Sequence, residues 1–150
     1  MTSELPQGVF VHEHTVRFHE TDRAGIIYFA RVFEYCHIAF EEMLRAIFGG
    51  VDTLFRHGTW GMPLVDAKTR YLKPIYLDER LRIELRVARL GRGSVRFAYR
   101  VLGPDGTLRA ETELTHAIVS MAEFEPQPVP PELRAGLQGL GLVPADAGGE

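Results

Sequence analysis

One stretch of the chain, residues 18–47, constrains the fold most strongly, because a polar loop containing acidic residues leads directly into a long amphipathic pattern. Apolar side chains recur there every three or four positions, at Val32, Cys36, Ala39, Phe40, Met43, Leu44 and Ile47. This period predicts an α-helix over residues 30–47 with one buried face. Most of the remaining chain alternates with period two, which predicts that the helix lies against one sheet.

Alternating apolar and polar residues predict strands over 8–18, 62–72, 77–90, 94–102 and 107–121, with a short helix or turn at 51–57. The alternation is most regular in 77–90, where Leu81, Ile83 and Leu85 share one face. Glycine-containing turns at 91–93 and 103–106 make the last three strands antiparallel neighbours. The order predicts an α+β fold in which an antiparallel sheet wraps around one long central helix.

The composition is that of an ordinary globular protein, with 45% hydrophobic and 25% charged residues in 150. A chain of this length fits a single domain with one core, and we expect that core to cover residues 9–133. Beyond it the sequence becomes rich in proline and glycine, with only a weak helical pattern at 132–137. Residues 134–150 are therefore predicted to form a mobile tail.

The cysteine content and the charge distribution limit the cellular compartment and the classes of binding partner that this protein can have. No apolar run is long enough to span a membrane, the first residues lack the basic and apolar parts of a signal peptide, and Cys36 is the only cysteine. We therefore expect a cytoplasmic protein.

Residues 70–109 carry nine arginines and one lysine against four acidic residues. This excess either holds an anion or marks solvated strand faces. Because the arginines alternate with aliphatic residues, nucleic-acid binding is disfavoured.

Histidine and cysteine side chains are weak candidates for chemistry. His12 and His14 share one face of the first predicted strand, but no third ligand has a fitting spacing, so an exposed strand edge is favoured over a metal site. Cys36 and His37 point about 100° apart on the predicted helix, which excludes them as a nucleophile and base pair. We expect neither a metal ion nor a cofactor.

Asp22 is the strongest candidate for a catalytic residue. A carboxylate just before a helix often serves only as its N-cap. Residues 26–29, however, are β-branched or aromatic, and such residues start a helix poorly but line an apolar pocket well. A carboxylate beside an apolar pocket and the N–H groups of a helix N-terminus has the parts that acyl transfer requires. Both interpretations remain open at this point.

The run Thr21-Asp22-Arg23-Ala24-Gly25-Ile26-Ile27-Tyr28-Phe29 resembles the signature of the hotdog-fold acyl-CoA thioesterases of the 4-hydroxybenzoyl-CoA thioesterase family. A second block, at 61–65, 71–74 and 78–79, is similar to the second strand of that family. The resemblance covers about residues 9–133. It implies a hotdog fold that hydrolyses an acyl-CoA to the free acid and coenzyme A without a cofactor.

The resemblance also implies roles for individual residues. Asp22 would be the catalytic carboxylate, either as nucleophile or as general base, and the backbone N–H of Phe29 would polarise the thioester carbonyl. Gly25 would set the loop geometry. Family members often bind the coenzyme phosphates near the turn after the strand at 77–90, which implies Arg92 with Arg89 or Arg96 as further candidates.

Contacts with the acyl group are expected from Tyr28, His19, His37, Thr59 and Trp60, although for the last four packing or exposure is the more common role. Tyr28-Phe29 is most similar to the aromatic-acyl branch, which includes 1,4-dihydroxy-2-naphthoyl-CoA thioesterases, because the short-chain branch commonly has histidine at position 29. The resemblance implies active sites formed by a homodimer, and we expect further assembly into a homotetramer. Two alternatives remain open: a thioesterase for short or medium aliphatic acyl-CoA, and a hotdog protein that binds an acyl thioester without hydrolysing it.

Overall fold

The computed structural model of the chain describes residues 8–145. Its elements are, in chain order, β1 (Phe10–Thr15), a 3₁₀ turn (Phe18–Glu20), α1 (Arg31–Phe48), α2 (Val51–His57), β2 (Trp60–Gly61), β3 (Leu64–Tyr71), β4 (Arg80–Leu90), β5 (Ser94–Leu102), β6 (Leu108–Ala117), β7 (Val119–Ser120) and α3 (Pro131–Gly139). Five strands form one antiparallel sheet in the order β1-β4-β5-β6-β3, so β1 and β3 are its edges, and β2 pairs with β7. No helix between residues 8 and 145 is long and apolar enough to cross a membrane.

Helix α1 buries its apolar stripe against the sheet, as the sequence predicts. Val32, Cys36, Ala39 and Met43 have no exposed surface. The helix ends at Gly49, whose φ of 82° is a left-handed conformation that glycine adopts at little cost. The predicted bounds differ from the observed ones by one residue at each end. The expected α+β hotdog arrangement, one long helix against an antiparallel sheet, is confirmed.

The sheet presents an apolar face to α1 and a charged face to solvent. Leu81, Ile83 and Leu85 of β4 are completely buried, which confirms the predicted alternation. On the charged face Glu84 is nevertheless only 8% exposed. Three guanidinium groups lie 3.1–3.6 Å from its carboxylate, those of Arg82, Arg86 and Arg100. Part of the basic excess in this half of the chain is therefore neutralised within the sheet.

Four predicted strands are shorter than expected, and one of these four is also divided in two. β1 ends at Thr15, and the chain then enters the 3₁₀ turn that precedes the loop containing Asp22. Pro63 separates β2 from β3, because proline has no N–H to donate to a strand ladder. A single residue, Ile118, divides the strand predicted over 107–121 into β6 and β7.

The C-terminal segment packs on the core, so the mobile tail expected from residue 134 is wrong for residues 134–145. Helix α3 lies against α1, and a side chain at Gly136 would collide with Ile47. The buried residues of this segment are Leu133, Leu137, Leu142 and Val143. The composition of this segment suggested disorder. A few apolar residues at helical spacing are nevertheless enough to hold α3 in place, because they pack against the surface of α1. Residues 146–150 of the expected tail lie outside the described residues.

Shortening Leu137 to alanine should destabilise the protein if α3 belongs to the core. Because Leu137 is completely buried, we expect Leu137→Ala to lower the free energy of unfolding by about 2–4 kcal/mol. Urea denaturation followed by circular dichroism measures this change. Ala135→Ser, at an exposed position of the same helix, should change it by less than about 0.5 kcal/mol. Equal stability of both variants would contradict the packing of α3.

Candidate active site

Asp22 lies in a tight loop that closes on the residue itself. Its N–H donates to the carbonyl of Ile26 at 2.8 Å. Its Oδ1 accepts hydrogen bonds from the N–H groups of Ala24 at 2.8 Å and Ile26 at 3.4 Å. Gly25, inside the loop, has a φ of 77°, which side-chain-bearing residues rarely adopt. The carboxylate is exposed, and its Oδ2 has no partner within residues 8–145.

The N-cap interpretation of Asp22 is wrong. Helix α1 begins at Arg31, and its N-cap is Ala30, whose side chain accepts no hydrogen bond. Residues 26–29 do not begin the helix; they extend the loop toward it. Asp22 therefore holds its own loop together through Oδ1 and keeps its second oxygen free.

The loop is anchored to the connection between β3 and β4. Ile26 pairs with Tyr76 as an isolated bridge, and the N–H of Ile27 donates to the carbonyl of Ile75 at 3.0 Å. That connection is held by the buried Arg109, which donates to both carboxylate oxygens of Glu79 at 2.6 and 2.9 Å. Hydrogen bonds from this guanidinium outweigh partial burial and hold the pKa of Glu79 below its usual value.

An apolar cavity of about 370 Å³ opens beside the loop. It is lined by Ile26, Ile27, Phe29, Tyr71, Leu72, Lys73, Pro74 and Ile75. Phe29 packs edge-on against Tyr71, with ring centroids 6.4 Å apart, and contacts Tyr28 at 4.7 Å. The cavity thus offers aromatic and branched aliphatic surface of the kind that binds an apolar ring.

Two backbone N–H groups at the start of α1 have no acceptor within residues 8–145, those of Phe29 and Ala30. Both groups precede the first helical residue, Arg31, whereas the N–H groups of the first turn, from Arg31 to Phe33, donate to the carbonyls of residues 28–30. The carbonyl of Tyr28 accepts from the N–H of Arg31 at 2.9 Å. Together with the partial positive charge of a helix N-terminus, these donors can stabilise a developing negative charge.

Glu20, two residues before Asp22, ties the loop to the rest of the fold. It is only 6% exposed, yet its carboxylate accepts hydrogen bonds from the Nε2 of His14 at 3.0 Å, the hydroxyl of Tyr35 at 2.8 Å and the N–H of Arg17 at 3.0 Å. Burial alone would raise the pKa of Glu20, but these donors outweigh burial and lower it. The carboxylate therefore stays ionised and joins β1, the 3₁₀ turn and α1.

The predicted histidine pair has a different environment from the one expected. His12 and His14 lie on the edge strand β1, as expected, but they are partly buried on its helix-facing side, opposite Ile83 and Leu81 of β4. His14 is engaged by Glu20. Within residues 8–145, no three His, Cys, Asp or Glu side chains are grouped so that they could hold a metal ion.

The structure brings only part of the predicted acyl-binding set together. Tyr28 is exposed and packs on Phe29 beside the cavity, and the exposed ring of His19 lies near Glu20. His37 is exposed further along α1, with its ring 5.4 Å from that of Phe40.

Trp60 and Thr59 lie away from Asp22. Trp60 is 3% exposed, donates its indole N–H to Glu132 at 3.0 Å and packs on Phe48 at the far end of α1. In this chain Trp60 is a core residue, which corrects its expected role as a contact for the acyl group. Thr59 is exposed next to it.

The predicted phosphate-binding arginines occupy the opposite end of the sheet from Asp22. Arg89 and Arg92 line an open cavity of about 670 Å³, together with Arg134, which the sequence analysis missed. Arg96 does not line this cavity; it lies on the charged face of the sheet and reaches Thr115. β4 starts near the Asp22 loop and has 11 residues, so at about 3.3 Å per residue it separates the two regions by roughly 33 Å.

Sequence reasoning also missed Glu20 and Tyr71. Tyr71 donates its hydroxyl proton to the carbonyl of Phe29 at 2.6 Å. Period-two alternation could place Tyr71 on the helix-facing side of β3, but the contact joins residues 42 positions apart and leaves no local signal. The partners of Glu20 on β1 and α1 are likewise visible only once the chain is folded.

Comparison with known proteins identifies the family to which the chain belongs. Residues 16–137 match the family model of the thioesterase-like superfamily. A 1,4-dihydroxy-2-naphthoyl-CoA hydrolase of Thermosynechococcus vestitus is 29% identical over 127 residues, which cover 85% of this chain and 87% of the relative. The hydrolase of that name from Synechococcus elongatus is 32% identical over 127 residues, covering 84% and 93%.

Solved structures show the same fold. The crystal structure of a 1,4-dihydroxy-2-naphthoyl-CoA thioesterase from Synechocystis matches with a TM-score of 0.82 at 24% identity, and the match covers 89% of this chain and 98% of that chain. A hypothetical protein from Aquifex aeolicus matches with a TM-score of 0.78 at 26% identity, covering 85% and 98%.

Replacing Glu20 by glutamine should loosen the loop anchor and change the acid sensitivity of the protein. We expect Glu20→Gln to lower the free energy of unfolding at pH 7 by about 2–3 kcal/mol, because charge-assisted hydrogen bonds are lost from a buried site. Since the pKa of Glu20 is lower in the folded state, its contribution is present above the ordinary glutamate pKa of 4.5 and is lost as the pH falls below that value.

Urea denaturation between pH 3.5 and 7 measures both effects. The difference in stability between wild type and Glu20→Gln should shrink toward the acidic end. Glu34→Gln provides the control, because Glu34 forms an exposed ion pair with Arg31 on α1, and it should cost less than about 1 kcal/mol. A difference that stays constant with pH would contradict an ionised Glu20.

Proposed function

This chain belongs to the thioesterase-like superfamily, and we propose that it hydrolyses an aromatic acyl-coenzyme A to the free acid and coenzyme A, with Asp22 as the catalytic carboxylate. One observation carries the proposal. The exposed carboxylate of Asp22 lies in the loop whose Ile26 and Ile27 line the apolar cavity, and the same segment continues to the unpaired N–H groups of Phe29 and Ala30 before α1. These are the acid, the ring pocket and the oxyanion donors that thioester hydrolysis requires.

The reaction assigns one task to each group. The thioester carbonyl oxygen accepts a hydrogen bond from the N–H of Phe29, which stabilises the charge that develops on this oxygen. Asp22 either attacks the carbonyl carbon through Oδ2, forming an anhydride that water then hydrolyses, or removes a proton from an attacking water. In both routes the carbon–sulfur bond breaks, and coenzyme A leaves as a thiolate that takes up a proton. The chemistry needs no metal ion or cofactor.

The nature of the cavity supports an aromatic acyl group. Phe29 and Tyr71 contribute rings, and Ile26 and Ile75 contribute branched aliphatic surface. The relatives described above hydrolyse 1,4-dihydroxy-2-naphthoyl-CoA according to their names, so we propose an acyl group of that hydroxylated bicyclic class, with 4-hydroxybenzoyl as the smaller alternative. Tyr28, which is exposed and packs on Phe29, would contact the ring of this acyl group.

Homodimerisation through β3 would complete the site. β3 is a sheet edge whose side chains include the exposed Leu64, Val65 and Tyr71, and such an unpaired apolar edge favours pairing with another strand. Two copies joined by antiparallel pairing of their β3 strands would place the Leu64 end of one strand beside the Tyr71 end of the other. Assembly of two such dimers into a homotetramer belongs to the same proposal.

This pairing accounts for the separation between Asp22 and the arginines. In such a dimer the turn between β4 and β5 of one subunit lies at the same end of the joined sheet as the Asp22 loop of the other. Arg89 and Arg92 would then bind the coenzyme phosphates of a substrate whose thioester lies at Asp22 of the partner subunit.

The neutral Cys36, buried and with its pKa raised to about 12 by burial, is inert, and the lone cysteine fits a cytoplasmic enzyme.

Replacing Asp22 by asparagine tests the reaction and the acyl preference together. We expect Asp22→Asn to fold normally and to lower kcat/KM by about a thousandfold or more, because a nucleophile or base is lost from a catalytic unit. Release of coenzyme A would be measured with benzoyl-, 4-hydroxybenzoyl-, 1,4-dihydroxy-2-naphthoyl-, butyryl- and hexanoyl-CoA. Wild type should prefer the aromatic substrates.

Asp52→Asn is the matched control, because Asp52 forms an exposed ion pair on α2. It should retain wild-type activity. Full activity of Asp22→Asn would refute the mechanism, and a preference for butyryl- or hexanoyl-CoA would refute the acyl class. Binding of the substrates without release of coenzyme A would show instead an acyl-thioester-binding protein.

A further inference from the structure

Tyr71 joins the sheet edge to the start of α1 through its hydroxyl group. It lies at the end of β3, where it pairs with the buried Ala110 of β6 and so faces α1. Its hydroxyl donates to the carbonyl of Phe29 at 2.6 Å, and its ring meets that of Phe29 edge-on. The only other donor to this carbonyl within residues 8–145 is the N–H of Val32, at the long distance of 3.4 Å. Tyr71 therefore makes the stronger hydrogen bond.

The carbonyl of Phe29 belongs to the peptide unit that carries the N–H of Ala30. Because a trans peptide is planar, its C=O and N–H point in opposite directions, and fixing one fixes the other. The preceding unit, which carries the N–H of Phe29, is fixed in the same way through the carbonyl of Tyr28 and the N–H of Arg31. A hydrogen bond accepted by a carbonyl also polarises the N–H of the same unit and makes it a better donor.

We propose that Tyr71 is a positioning residue for thioester hydrolysis, whose hydroxyl holds the Phe29–Ala30 peptide so that the unpaired N–H of Ala30 faces the developing oxyanion beside that of Phe29. This inference rests on the proposed function, since it assigns Tyr71 a part in the same reaction. Tyr71 does not touch the reacting atoms; it acts through the peptide. Substrate binding in the cavity uses its ring, whereas stabilisation of the transition state uses its hydroxyl.

The environment of Tyr71 suits a permanent donor. Partial burial, and to a smaller extent the nearby Cys36, raise the pKa of Tyr71 above its usual value, so the hydroxyl keeps its proton at neutral pH. Lys73 is the charged side chain that lines the same cavity. Because Tyr71 also lies on the edge strand β3, the hydrogen bond connects the proposed dimer contact to the oxyanion donors.

The test compares Tyr71→Phe with Tyr76→Phe. The first variant removes the hydroxyl and keeps the ring; the second removes an exposed hydroxyl from the neighbouring segment that pairs with the Asp22 loop. With the preferred acyl-CoA, Tyr71→Phe should lower kcat about tenfold and leave KM within about twofold, because the ring still lines the cavity while the donors lose their orientation. Tyr76→Phe should match wild type in both constants. Oligomer mass, measured by light scattering, should be the same for all three proteins.

A second readout does not depend on hydrolysis. In NMR spectra of uniformly ¹³C,¹⁵N-labelled protein, the carbonyl carbon of Phe29 and the amide of Ala30 should shift in Tyr71→Phe and stay in place in Tyr76→Phe. Unshifted resonances would overturn the hydrogen bond and with it the proposal. Shifted resonances with an unchanged kcat would overturn the positioning role, as would a change confined to KM or to the oligomer mass. If wild type releases coenzyme A from none of the thioesters, the proposed function fails and the role of Tyr71 in it is overturned, whereas the shifts still report on the contact.

Discussion

The candidate site depends on one buried carboxylate, that of Glu20. A charged group that is 6% exposed is tolerated only when donors surround it, and here His14, Arg17 and Tyr35 supply them from three different elements. This requirement fixes where the chain leaves β1 and where it approaches α1. The Asp22 loop connects these two points. The contacts of Glu20 therefore hold both ends of the segment that carries the free carboxylate oxygen and the donors at the start of α1.

A second constraint follows from the sheet. The same long strand, β4, starts beside the Asp22 loop and ends at the turn that carries Arg92, so one chain cannot bring the carboxylate and the arginines to a single thioester. A dimer formed through the exposed edge of β3 would bring the two groups together. Antiparallel pairing of two β3 strands places the Asp22 end of one sheet beside the arginine end of the other. On this account each chain contributes the chemistry of one site and the phosphate contacts of the other.

The sequence was sufficient for the parts of the fold that local periodicity encodes. The apolar stripe of α1 and the turn between β4 and β5 were predicted within a residue or two, and the alternation of β4 was predicted correctly although the strand begins three residues later than expected. Ile118 divides one predicted strand, the strand predicted from residue 62 starts only after Pro63, and α3 was hidden by a proline- and glycine-rich composition. For Asp22, residue types and the family resemblance identified the candidate. Glu20, Tyr71 and Trp60 each contact a residue far away in the sequence. No local sequence pattern predicts such contacts.

The most direct measurement of a shared site is activity in a hybrid dimer of Asp22→Asn and Arg92→Glu subunits, co-expressed with different tags and purified through both. Each parent has a defect at every site. In the hybrid, one site combines an intact Asp22 with Arg92 of the partner subunit, so kcat/KM should return to about half of the wild-type value. Activity no higher than the mean of the two parents would contradict the shared site and return the arginines to a role within their own chain.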